Sequence, residues 1–212
     1  MLRFSLPEGP LSVLCLGAHP DDIEIGCGGT VLRLLDEHPG STVDWIVFSG
    51  EGERRREAEA SAADFLAGAG ARRVLVHGFR DGFFPWQGAA IKESFERLKA
   101  ECEPGLVLTH CRTDAHQDHR LLADLAWNTW RRHLVLEYEI PKIDGDLGNP
   151  SLFVPLSDEQ AERKLALLVR HFGSQRSRSW FSEATFRAQL RLRGVNAGTD
   201  WAEGFYLRRA LL

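Results

Sequence analysis

Short apolar runs alternate with helix-period segments along the first two thirds of the chain. The run "LSVLCLGA" at 11–18 is apolar on both faces, the pattern of a strand buried on both sides inside a parallel sheet. A helix-period segment follows at 23–38, then a strand at 43–50, "VDWIVFSG", and a helix at 53–70 that closes on glycine. The alternation continues with a strand at 72–79, a helix at 89–102, a strand at 105–110, a helix at 117–133 and a strand at 134–140. Strands separated by helices pair in parallel, and the crossovers place helices on the sheet faces. The expected fold is therefore α/β and Rossmann-like, a mostly parallel twisted sheet with helices on both faces. The turn-rich "PKIDGDLGNP" at 141–150 reads as a loop. Helices at 158–171 and 182–193 and a last strand in "GFYLRRAL" at 204–211 complete a C-terminal extension over 141–212. No repeat or linker-like tract divides the chain, so one domain over 1–212 with its core at 11–140 is expected.

A chain of 212 residues, 43% hydrophobic and 26% charged, can bury a sizeable core. The net charge of −4 gives no basic field for nucleic acid or an anionic membrane surface. The clusters "RRR" at 54–56 and "RLR" at 191–193 have acidic neighbours, some at i,i+3 and i,i+4, and read as solvated or subunit-facing helix sides. That leaves room for a homo-oligomer. Apolar runs are strand-sized, so no membrane span is expected. The N-terminal stretch has no small-residue cleavage site and does not read as a signal peptide. Cys15, Cys27, Cys102 and Cys111 show no C-x-x-C spacing and read as reduced, mostly buried thiols of a cytoplasmic protein.

In open parallel sheets, ligands bind beyond the carboxyl ends of the strands. The first strand ends at His19-Pro20-Asp21-Asp22, the second at Ser49-Gly50-Glu51, and the fourth at His110, followed by "CRTDAHQDHR". Parallel strands bring these ends to one rim. His and Asp together suit a borderline cation such as Zn²⁺. Adjacent Asp21 and Asp22 point in different directions, so one can bind the ion while the other faces water. His116 and His119 are three positions apart, the spacing of one helical turn or of the loop entering it. Either Asp alone reads as a helix cap, and His119 alone as a surface histidine. Their joint occurrence at strand ends favours a metal site. Gly26, Gly28 and Gly29 each cost a helix about 1 kcal/mol relative to Ala, so close packing or close approach to a ligand is expected there. The G-x-G-x-x-G register is absent, which argues against a dinucleotide.

Three motifs, Ala18-His19-Pro20-Asp21-Asp22, Gly50-Glu51 and His116-Gln117-Asp118-His119, resemble those of the PIG-L/LmbE-like zinc deacetylases, in order and spacing over 11–135. "YEIPKIDGDLGNP" and "HFGSQRS" are similar to one branch of that family. Ile23 stands where many members have Glu, with Glu24 following, and Gln117 where many have Pro. The resemblance implies zinc, with Fe²⁺ or Co²⁺ as alternatives, held by His19, Asp22 and His119. It implies Asp21 as general base and His116 as oxyanion partner, with Asp118 fixing the His116 tautomer and favouring its protonated form. The leaving amine would take its proton from Asp21 or His116. The implied substrate is a small N-acetylated amino sugar of N-acetylglucosamine type, free or conjugated. An amidase acting on another conjugate, a silent sugar- or nucleotide-binding module and a metal phosphoesterase are the rival readings, the last needing a second ligand set. Glu51, Arg80, Asp81, Trp86 and Arg112 are the candidate substrate contacts. Phe83, Phe84 and Trp86 stack on a sugar or pack in the core. Glu137, Tyr138 and Glu139 are candidates for the cleft wall, and Trp180 and Phe181 for a lid or subunit contact.

Overall fold

The order in which the strands lie side by side, β3-β2-β1-β4-β5-β7-β6, puts the first strand in the middle of one seven-stranded sheet. This is a computed structural model, describing residues 5–211; the first four residues of the stretch read as lacking a signal peptide lie outside it. The elements are β1 (Ser12–Gly17), α1 (Asp22–Glu37), β2 (Thr42–Val47), α2 (Gly52–Phe65), β3 (Ala71–Val76), α3 (Gly88–Glu101), β4 (Leu106–His110), α4 (Gln117–Thr129), β5 (Leu134–Tyr138), β6 (Leu152–Leu156), α5 (Asp158–His171), α6 (Glu183–Ala197) and β7 (Trp201–Leu207). Strands β1 to β5 are parallel, and β7 runs antiparallel to both β5 and β6. The chain leaves β1 towards β2 on one side and returns to pair β4 on the other, which makes the carboxyl ends of β1 and β4 a topological switch point.

Strand β1 is apolar on both faces because both are covered. Val13 and Cys15 join Val43, Trp45 and the buried sides of α1, α2, α5 and α6. Leu14 and Leu16 join Ile46, Phe48, Phe95 of α3 and Leu122 and Ala126 of α4. The expected α/β architecture is what the chain adopts. Strand β6 departs from the sequence pattern, because "LFVPL" carries Pro155 in mid-run. It lies at the sheet edge, where a missing N–H is tolerated. The last strand begins at Trp201, three residues earlier than its sequence pattern suggests.

The glycines of α1 answer to packing. A Cβ on Gly26 would lie 2.1 Å from the Tyr138 ring, and one on Gly29 2.4 Å from Leu156 Cδ1. A buried ion pair meets the helix at the same level. Glu203 of β7 accepts hydrogen bonds from the Gly29 and Thr30 amides at 2.8 and 2.6 Å, while Lys164 of α5 donates to the Ile25 carbonyl and to Glu203, both at 2.6 Å. All four cysteines are free, and no helix among the described residues is long and apolar enough to cross a membrane.

Candidate active site

The chain leaves β1 through a strained turn. Asp21 has φ 98° and ψ −20° and is the one non-glycine residue with positive φ among the described residues. That conformation costs on the order of 1 kcal/mol. Asp21 precedes α1 but makes no side-chain cap bond, so it does not do what an isolated Asp before a helix ordinarily does. Its Oδ2 faces the Arg54 guanidinium at 3.1 Å instead. Asp22 turns the other way, and its Oδ2 accepts the His19 amide at 2.7 Å.

His19 Nδ1, Asp22 Oδ2 and His119 Nε2 form a triangle. Its edges are 3.2 Å between the two histidines, 3.3 Å from His19 to Asp22 and 3.5 Å from His119 to Asp22. Zinc bonds of about 2.0–2.1 Å in a tetrahedron imply donor separations of about 3.3–3.4 Å. The three atoms therefore fit one face of a tetrahedral site, with the fourth position left for water or substrate. Three further overlapping sets of donors lie close by: His19, His116 and His119; Asp22, His110 and His119; and His19, Asp81 and Asp118.

The nitrogens facing away from the triangle are also held. His19 Nε2 lies 3.0 Å from Asp81 Oδ1 and 3.3 Å from Asp118 Oδ2, and His119 Nδ1 lies 2.9 Å from Asp114 Oδ2. Burial, helped by neighbouring His110, pushes His119 down to about 4, so its ring is neutral and keeps a lone pair. Burial opposes charge on His19, but Asp22, Asp118 and Asp81 outweigh it and raise its pKa well above the imidazole range. Burial likewise opposes charge on Asp22, yet His119, His110 and His19 hold its carboxyl well below the usual range. The cluster thus calls for positive charge, which a proton or a divalent cation supplies.

Burial pushes Asp21 up to about 7, against the opposing pull of Arg54. The sequence pattern puts Arg54 on a solvated helix side, and the structure corrects this. Arg54 lies over the site, donating to the Pro20 carbonyl, pairing with Glu57 at 3.2 Å and resting over the Phe172 ring. Glu57 in turn accepts the Ser174 amide and hydroxyl, tying "HFGSQRS" to the back of the site. Arg55, on the exposed side, pairs with Glu59 as the helical spacing suggests. Glu24 is buried next to this region with neither carboxyl oxygen hydrogen-bonded, and burial raises it to about 8.

His116 stands edge-on to His19, with ring centroids 4.9 Å apart, and 4.6 Å from His119. Its Nδ1 accepts the Asp118 amide at 3.3 Å, which caps α4 and leaves the ring proton on Nε2. Burial and then His19 lower its pKa. The Asp118 charge does favour a protonated His116, against burial, but its expected hold on the tautomer is corrected here. Its carboxylate does not hydrogen-bond His116 but holds the loop after β3, accepting the Gly82 amide at 2.7 Å and the Phe84 amide at 3.1 Å, and reaches His19. The His116 tautomer is set by backbone, as a neutral N–H donor.

Besides Arg54, two contributors are not among the site residues the sequence singles out. His110, fully buried at the end of β4, accepts the Ala18 amide at 3.0 Å, lies 3.2 Å from Asp22 Oδ2 and stacks on His119 with centroids 3.9 Å apart. Its place at a strand end beside β1 was the available signal. Asp114, five residues before His119, had none beyond its proximity in sequence.

Of the candidate substrate contacts, Asp81 joins the cluster through His19. Arg80 lies over the Phe83 ring at 3.6 Å, and Trp86, 73% exposed, lies 5.8 Å from Phe83, so this loop carries an exposed aromatic surface. Glu51 is exposed at the start of α2, beside Gly78. The remaining candidates have partners within the protein. Phe84 is fully buried in the core. Arg112 is drawn to Asp124 on the exposed side of α4 at 2.9 Å. Glu137 and Glu139 are buried and paired with Arg208 and Arg193, while Tyr138 is buried against His110 and Gly26. Phe181 packs between Phe172 and Phe186, with Trp180 beside it, as core and not as a lid.

Fold and cluster together define a class, an α/β fold with a cluster of histidines and carboxylates gathered at the sheet's switch point. The profile of the PIG-L family, GlcNAc-PI de-N-acetylase, matches residues 14–130, more than half of the chain, and the chain belongs to that family. It is 31% identical over 125 residues to diacetylchitobiose deacetylase of Thermococcus kodakarensis, a match that covers 51% of this chain and spans 45% of that protein's length. Two solved structures share the fold. The conserved protein TT1542 from Thermus thermophilus has a TM-score of 0.72 at 23% identity, covering 95% of this chain and 96% of that one. The N,N'-diacetylchitobiose deacetylase from Pyrococcus horikoshii has a TM-score of 0.69 at 23% identity, covering 92% and 83%.

Proposed function

We propose that this protein is a metal-dependent N-deacetylase that hydrolyses the acetamide of an N-acetylated amino sugar, free or conjugated. The observation that carries the reading is the donor triangle of His19, Asp22 and His119 beside a buried carboxylate, Asp21, that is spared from capping. Membership of the de-N-acetylase family and the likeness to a diacetylchitobiose deacetylase support it.

The triangle would hold Zn²⁺, with Fe²⁺ or Co²⁺ as alternatives; such an ion, when bound, acidifies water and polarises a carbonyl. Asp21 takes the proton of the attacking water as general base. Arg54 engages its Oδ2 and leaves Oδ1 for that water. His116, with its proton on Nε2, donates to the acetamide oxygen as negative charge develops there. A neutral His116 has no proton to spare, so Asp21 passes its acquired proton to the departing amine. The exposed faces of Phe83 and Trp86 offer a stacking platform for the sugar.

Acetate release from a panel of N-acetylated amino sugars, free and conjugated, tests the reading on zinc-loaded protein. Release by the wild type establishes the activity and its substrate class. Silence with one zinc bound per chain shifts the search to other amides, and silence with no metal bound defeats the reading. Two variants sharpen it. His119→Ala is expected to lose zinc on dialysis, measured as metal per chain, and full retention removes His119 from the donor set. Trp86→Ala is expected to raise KM several-fold while kcat stays near wild type, because a stacking contact contributes about 0.5–1.5 kcal/mol.

A further inference from the structure

Asp114 is buried at 4% exposure, and both of its oxygens are committed. Oδ2 accepts from His119 Nδ1 at 2.9 Å. Oδ1 accepts the His116 amide at 2.7 Å and meets Lys142 Nζ at 3.1 Å. Lys142 is itself gripped by Asp146 at 2.6 Å, and Asp146 accepts the Ala115 amide at 2.6 Å. One carboxylate thus touches the ring of one histidine, the backbone of another and the cation that anchors the loop 141–150.

We infer that Asp114 is a positioning residue that fixes the tautomer and orientation of His119 so that Nε2 presents its lone pair to the donor triangle. The inference rests on the metal reading above. A neutral imidazole carries one proton, and the nitrogen that does not bear it is the only one that can bind a cation. Among the described residues, Asp114 is the only acceptor hydrogen-bonded to His119 Nδ1. With that acceptor lost, the proton is free to sit on Nε2, and the triangle is reduced to two donors. Carboxylates behind metal-binding histidines act in this way generally, and their loss weakens metal affinity by about 10- to 100-fold.

Asp114→Asn is a sharp probe because it keeps the shape and removes one acceptor. Its amide oxygen can serve His119, or it can serve Lys142 and the His116 amide, but whichever side receives the NH₂ group faces another donor. Zinc affinity, measured on the full chain by competition with a chromophoric chelator, is expected to fall about 10- to 100-fold in Asp114→Asn. Cobalt(II) loaded in place of zinc is expected to show altered visible absorption bands, a change that a purely structural role would not produce. Asp146→Ala serves as the loop control. It frees Ala115 from the loop but leaves Asp114 on His119, and is expected to bind zinc within about 3-fold of wild type.

Wild-type affinity and an unchanged cobalt spectrum in Asp114→Asn overturn the inference and leave the metal reading standing. An equal loss in Asp146→Ala also overturns it, because loop anchoring then accounts for the effect. A wild type that binds no zinc overturns both. If circular dichroism shows Asp114→Asn unfolded, Asp114→Glu takes its place, with the charge kept but displaced by one methylene. Intermediate affinity is then expected, and unchanged affinity overturns the inference.

Discussion

Asp21→Asn is expected to keep its zinc and lose about 10²- to 10⁴-fold in kcat, the usual contribution of a positioned proton acceptor. The choice of Asn follows from the backbone. At φ 98° an alanine would add strain of its own, whereas Asn tolerates the left-handed region better than most residues and has nearly the shape of Asp. Arg54 retains the Pro20 carbonyl and Glu57 as partners, so losing the Asp21 charge does not strand it. Asp21 is not part of the donor triangle, so metal content should stay at one per chain. The amide cannot accept the proton of water, and that is the one function removed. Acetate release and zinc content measured on the same preparation decide it. Turnover within about 3-fold of wild type would exclude Asp21 as the base.

The fold was legible where burial leaves a one-dimensional trace. The run through β1 is continuously apolar because helices cover both faces, Trp45–Val47 of β2 and Leu106–Leu108 of β4 carry shorter stretches of the same kind, and a both-face apolar run of strand length has few other meanings. Edge strand β6 leaves no such trace, since it is half-exposed and holds a proline. At the site, His19, Asp21, Asp22, His116 and His119 stood out because polar residues close behind an apolar strand need a reason. Arg54 did not, because on its own helix it looks like its neighbour Arg55, which does pair along the surface. Only the placement of the first turn of α2 over Pro20 separates the two. His110 was hidden in a similar way. As the last residue of a buried strand it acquires a role only because β4 lies beside β1, so that its ring reaches Asp22 and His119. Loop side chains were the least legible. Phe83 and Phe84 are adjacent, yet one is exposed and the other fully buried, and Asp118 decides this by fixing the loop through the Gly82 and Phe84 amides.

Lys164→Met is expected to destabilise the fold by about 3–5 kcal/mol, much of the margin of a typical domain. Lys164 and Glu203 are each 2% exposed in their side chains. The lysine donates to the Ile25 carbonyl, while the carboxylate accepts the Gly29 and Thr30 amides. Ile25 and Gly29 are the two ends of one helical i,i+4 step, so the ion pair engages α1 through both groups that normally bond each other. Gly29 belongs to the same arrangement, because a Cβ there would sit 3.0 Å from Glu203 Oε1. Methionine fills the volume of the lysine stem but leaves Glu203 charged and without its cation in the core. The cost comes from that stranded charge more than from the value of the pair, and this gives a second test. Lys164→Met combined with Glu203→Gln should be less damaging than the sum of the two single changes, because it leaves no buried charge. Denaturant midpoints at constant slope measure all three variants. A midpoint unchanged in Lys164→Met would mean that α1 is held by its own hydrogen bonds and its packing on Tyr138 and Leu156, with the ion pair incidental to it.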